Sequence, residues 1–240
     1  MAARFAVLFL SLAASLQMAA GTLADVRTAL RRLSSTESVR GTLTIDQDVS
    51  SSGKFGSNNA KRTATAEVAH DERGVTITVP PALVDNLAAD ENAEDSIGSI
   101  RTTAVIEALN QRDVLLKMLD NAAVIDEKRG MFNGRPARLL VLQLKPHKPR
   151  SGNSISIGSV KSDDRLRLWL GDDLLPVAGE RDQTTTAGFL FLHGTFASHT
   201  KYAFARTHDR LVLARMEVNE GGSGIGQRVD RKSVQTLTMH

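Results

Sequence analysis

Histidines and carboxylates are the residues of this 240-residue chain that could do chemistry. The six histidines are His70, His147, His193, His199, His208 and His240. An imidazole can hold a metal or move a proton, but a metal site needs several such ligands to converge. His193 and His199 meet only if the segment between them folds back. No H-x₃-H or HExxH spacing occurs and the chain has no cysteine, so no metal is expected. Asp163-Asp164, Asp172-Asp173 and Glu180-Arg181-Asp182 place acids close together, as general acid–base work requires. Each group sits where a turn is expected, and aspartate is favoured there because it bonds its own backbone. No G-x-S-x-G elbow is present. Gly221 to Gly226 is rich in glycine, but a strand pattern follows it rather than a helix carrying Lys-Ser/Thr. It reads as a hairpin turn and not as a phosphate loop. The chain is therefore expected to be no enzyme and to carry no cofactor.

Charge narrows the partners. Thirty basic against 27 acidic residues is close to balance, although the isoelectric point is about 9.4. The tightest basic group, Lys145 to Arg150, lies in a proline-rich loop without interleaved aromatics. A nucleic-acid surface needs a basic stripe, so nucleic acid is not expected. The N-terminus reads as a secretory signal. Arg4 supplies the positive start, Phe5 to Leu16 the apolar run, and Ala19-Ala20-Gly21 the small-residue exit. That run is shorter than the ~20 residues of a membrane span. The expected division is a signal over residues 1–21 and one domain over 22–240, exported to the periplasm and monomeric.

The elements that must position these residues follow from periodicity. Leu23, Val26, Leu30 and Leu33 make one apolar helical stripe. Strands are expected over Val39–Val49, Lys61–His70 and Val75–Val79, with a loop over Ser50–Ala60. Pro80-Pro81 ends the third strand, and a short helix near Leu83–Leu87 and an acidic stretch follow. Ile100–Leu119 is the longest helical pattern, with a break near Asn110-Gln111. About seven further strands follow in meander order. One of them, Pro136–Leu144, is apolar on both faces, as if covered on both sides. Pro176 sits early in another, which marks that strand as an edge or a bend. The fold class is α+β with antiparallel pairing.

The apolar alternations are Leu43 and Ile45; Val75, Ile77 and Val79; Leu140 and Leu142; and Leu166, Leu168 and Leu170. A sheet face must be buried by something, so these residues read first as core. The alternative is a partly open apolar cleft with these ten residues as ligand contacts. Six aromatics from Trp169 to Phe204 fall in the stretch that would help to build such a surface.

Three passages carry a family resemblance. They are Ile45-Asp46-Gln47-Asp48-Val49 with Ser51-Ser52-Gly53; Leu119-Asp120-Asn121-Ala122 with Asn133-Gly134-Arg135-Pro136-Ala137; and Leu166-Arg167-Leu168-Trp169-Leu170 with Leu175-Pro176-Val177. With the order of elements, they resemble the LolA-like superfamily of periplasmic lipoprotein carriers, lipid-binding lipoproteins and RseB-type sensor domains. Ala60 to Val79 lacks the aromatic residues of the true carriers' strand. The resemblance implies a curved antiparallel sheet, an unclosed barrel with helices covering its concave face. It also implies reversible binding of a lipid, lipoprotein or similar amphiphile. The other function carried by the same fold is an envelope interaction or regulatory module with a filled core and a transient protein partner.

Overall fold

The computed structural model describes residues 22–34, 37–54, 56–79, 102–145, 159–189, 192–224 and 226–240. A first helix, α1 (22–32), precedes three strands: β1 (Val39–Gly53), β2 (Asn58–Asp71) and β3 (Gly74–Thr78). Two short helices follow, α2 (Thr102–Leu109) and α3 (Gln111–Asp120). Seven strands complete the chain: β4 (Ala122–Phe132), β5 (Arg135–Leu144), β6 (Ser159–Leu170), β7 (Pro176–Phe189), β8 (Leu192–Thr207), β9 (Arg210–Gly224) and β10 (Gln227–Met239). All ten form one antiparallel sheet in the order β3-β2-β1-β10-β9-β8-β7-β6-β5-β4. Sequence neighbours pair throughout, and β1 with β10 is the one long-range closure. β3 and β4 do not pair, so the barrel stays open between them.

Turn chemistry fixes the register. Asn133 and Gly134 both take positive φ, 49° and 76°, as a two-residue hairpin turn requires. Gly74, at φ 114°, ends the β2–β3 turn, where the Arg73 amide donates to the Asp71 carboxylate at 2.8 Å. Alternation then sends Leu43 and Ile45 of β1, Ala64, Ala66 and Val68 of β2, and Leu237 of β10 to the concave face.

Three helices cover that face. The α1 stripe Leu23, Val26, Leu30 and Leu33 packs with Leu115 and Leu119 of α3 onto the leucines of β5 and β6. A second cluster joins Val105, Ala108 and Leu109 of α2 to β1, β2, β9 and β10. The break between α2 and α3 falls at Asn110, whose backbone leaves the helical region (φ −137°, ψ 67°). Its amide nitrogen donates to the Asp113 carboxylate at 2.7 Å, which steadies the start of α3.

Several sequence expectations shift. Ser50 to Gly53 and Asn58 to Ala60 belong to paired strands rather than a loop, because ladder hydrogen bonds form whatever the side chain. For the same reason β9 continues through Gly221 to Gly224, and only the end of that glycine-rich stretch turns. Pro176 opens a central strand at a β-bulge facing Leu170, so it marks a bend and not an edge. The outer residues of β5, Leu139 and Val141, are half-buried, so this strand is fully covered on its concave side only. The expected helix near Leu83–Leu87 and the Pro146 loop lie outside the described residues, as does the signal segment.

Candidate functional site

The ten apolar positions are distributed over both clusters. Leu140, Leu142, Leu166, Leu168 and Leu170 are at most 1% exposed beneath α1 and α3. Leu43 and Ile45 lie in the second cluster, with Val75 and Ile77 half-buried against it. Val79 stands one residue beyond β3 and is also half-buried. The described residues thus divide these positions between two core clusters.

Where the leucines of the concave face end, a polar layer begins. Asp164 of β6 accepts from Arg181 of β7 at both oxygens, Nε at 2.8 Å and Nη2 at 2.6 Å. This bidentate bond holds the Arg181 guanidinium more firmly protonated than usual. Tyr202 lies against the same arginine, and burial pushes its phenol pKa up. The apolar alternation of β6 hid this pair, since Asp163-Asp164 reads locally as turn chemistry.

A second buried polar node is Arg210, fully buried at the start of β9. Its Nε donates to the Leu109 carbonyl at 2.9 Å and its Nη1 to the Glu37 carbonyl. Its Nη2 lies 2.9 Å from His70 Nδ1, which must act as acceptor because a guanidinium only donates. Burial first, and the nearby Arg210 charge second, lower the His70 pKa. The run Arg210-Leu211-Val212-Leu213 carried one signal, an arginine at the head of a wholly apolar strand start.

The outer face carries the remaining acids and histidines. Antiparallel register sets Lys61, Asp48, Lys232, Asn219, His199 and Asp182 in one row across β2, β1, β10, β9, β8 and β7. The next row on that face is Ser50, Asp230, Gly221, Ala197 and Thr184. Gly221 and Ala197 are small, and the sheet surface sinks there into a depression of about 560 Å³. Asp182 is fixed from two sides, by Arg167 Nη1 at 2.9 Å and by His199 Nδ1 at 2.6 Å. A carboxylate can only accept, so His199 Nδ1 is the donor of this pair, and in the neutral ring Nε2 is then the acceptor nitrogen. Asp230 is held by Arg228 (2.7 Å) and Asp48 by Lys61 (3.6 Å).

The other acid groups are also engaged. Asp163 pairs with Arg165 on the outer face, whereas Asp164 points inward. Asp173 accepts from the Leu175 amide and pairs with Arg206, so it holds the β6–β7 turn. Glu180 shares Arg167 with Asp182. Among the described residues no group of three potential ligands could hold a metal.

No protein-family model matches the chain, and no curated protein matches it. Among solved structures it is similar to a chain of the crystal structure of MucB in complex with MucA(peri). The identity is 12%, the TM-score 0.23, and the match covers 91% of this chain and 93% of that one. A likeness at that level carries no functional argument.

Proposed function

We propose that the protein is an exported, non-catalytic interaction module of half-barrel fold that contacts an envelope protein partner while its own interior stays filled. The observation that supports this reading is the interlocking of α1 and α3 with β5 and β6. Leu30, Leu119, Leu140, Leu168 and Leu170 are each 0% exposed there. Expelling that many leucines to admit an acyl chain would cost about 1.5–3 kcal/mol for each one exposed. Among the described residues no helix is long and apolar enough to cross a membrane. Residues 1–21 supply the export signal in this reading, and the protein works in the periplasm as a monomer.

Carriage of a lipid or acylated protein is the second reading, and one observation favours it. Val75, Ile77 and Val79 are only half-buried, beside the open gap of the barrel at β3. Native mass spectrometry of the protein purified from the periplasm without detergent separates the two. The filled-core reading expects an apo mass that takes up no added acyl lipid. A lipid adduct lost on organic extraction would favour carriage. N-terminal sequencing of the same sample tests export, with a start near residue 22 expected.

A further inference from the structure

We propose that the outer-face depression over Asn219, Gly221 and Ala197 is a binding site for a neutral, hydroxyl-rich ligand of the oligosaccharide class. Its volume, about 560 Å³, lies within the range of about 300–1,000 Å³ usual for ligand sites. Five adjacent strands supply the lining, so its groups stand on paired backbone and lose little freedom when a ligand binds.

Charge decides the class of ligand. Asp182, Asp230 and Asp48 each already face a cation of the protein, Arg167, Arg228 and Lys61, at 2.7–3.6 Å. A cationic ligand would have to compete with Arg167, Arg228 and Lys61 for them. An anion would have to approach four carboxylates of the lining, Asp48, Asp182, Glu220 and Asp230; Arg231 is paired with Glu220, and Lys232 is the lining ammonium with no ion pair among the described residues. An apolar ligand would strip water from charged groups without replacing their hydrogen bonds. A sugar hydroxyl both donates and accepts, so it needs none of the existing pairs broken.

The positions are complementary to such a ligand. Lys232 and Asn219 are donors that stand side by side, and the Asn219 amide can also accept. Next in the row, His199 has its ring fixed by Asp182 and its Nε2 free to accept from a hydroxyl. Asp230 Oδ1, which already accepts from Arg228 Nη2 at 3.2 Å, stands only 3.1 Å from where a Cβ on Gly221 would be, so the glycine leaves room for a second donor beside it. Donors at Lys232 and Asn219 and an acceptor at His199 stand at adjoining positions of one row, which suits successive hydroxyls of an extended chain.

The test is a ¹H–¹⁵N NMR titration of the full chain with three neutral tetrasaccharides: chitotetraose, cellotetraose and maltotetraose. At least one is expected to shift the amides of Ala197, Asn219 and Gly221 at millimolar concentration. Asn219→Ala is expected to weaken binding about tenfold, the loss of one good hydrogen-bonding group. Ala197→Tyr, at an exposed strand position where tyrosine is well tolerated, is expected to fill the depression and abolish binding. Dispersed spectra of both variants would show that they fold. No shift with any of the three sugars, or shifts confined to other strands, would overturn the assignment. Tighter binding at these amides by spermidine or by tetragalacturonate would overturn the neutral class. An acyl lipid inside the half-barrel would leave this outer site unaffected, so its failure and that of the filled-core reading are distinguishable.

Discussion

Arg210 Nε donates to the carbonyl oxygen of Leu109 at 2.9 Å, across 101 residues of sequence. That bond ties the C-terminal end of α2 to the start of β9. The same guanidinium also reaches the Glu37 carbonyl and His70. One buried cation thus joins the helical cover, the segment after α1 and strand β2. Arg210→Met keeps much of the bulk and removes all three donors. It is expected to cost about 2–4 kcal/mol, because one buried and two part-buried acceptors lose their partner together. Urea unfolding followed by circular dichroism measures this, and an unchanged midpoint would deny the node any structural role.

The His70 imidazole makes stability depend on pH, with a definite sign. Its folded pKa lies below the ordinary 6.5, through burial and then Arg210, with Asp71 opposing. The folded state therefore binds fewer protons than the unfolded state below about pH 6.5, and stability falls as pH drops through that region. Above it the contribution is constant. His70→Gln offers Arg210 a neutral acceptor and is expected to flatten the dependence. Urea midpoints at pH 7.5 and 5.5, for wild type and variant, give the comparison.

Much of the sheet was legible because its strands alternate. Val39 to Ile45 and Arg165 to Leu170 each show a period of two, and the structure turns their apolar sides to the helices. The helix break at Asn110 was legible as well. Ser50 to Gly53 and Gly221 to Gly224 escaped, because serine and glycine signal loops locally while the ladder is made by backbone from distant strands. The polar nodes escaped for a related reason. Nothing near Asp164 in sequence foretells Arg181, because strand register brings the two together. The row from Asp48 to Asp182 joins residues that are 134 positions apart across five strands, which no local pattern can reveal.

Leu168 separates core from ligand contact. It is 0% exposed and packs in the cluster beneath α1 and α3. Leu168→Ala is expected to cost about 3 kcal/mol, since a fully buried leucine leaves a cavity that closes only in part. A loss below about 0.5 kcal/mol would mean that the side chain faces an open space.

Gly41 tests the closure of β1 on β10. A Cβ there would stand 2.5 Å from the Thr238 carbonyl oxygen, and backbone cannot give way cheaply. Gly41→Ala is expected to cost about 1–3 kcal/mol through displacement of that ladder. A variant as stable as wild type would show that the two strands sit further apart.

Hydrogen exchange of the α1 and α3 amides, set against those of β6, tests most directly whether the helices are permanent cover or a lid. A filled interior predicts that both helices exchange only with global unfolding, at the same free energy as β6. Exchange in α1 and α3 about a hundredfold faster than in β6, with the sheet still protected, would contradict the account, because the interior would then open without unfolding.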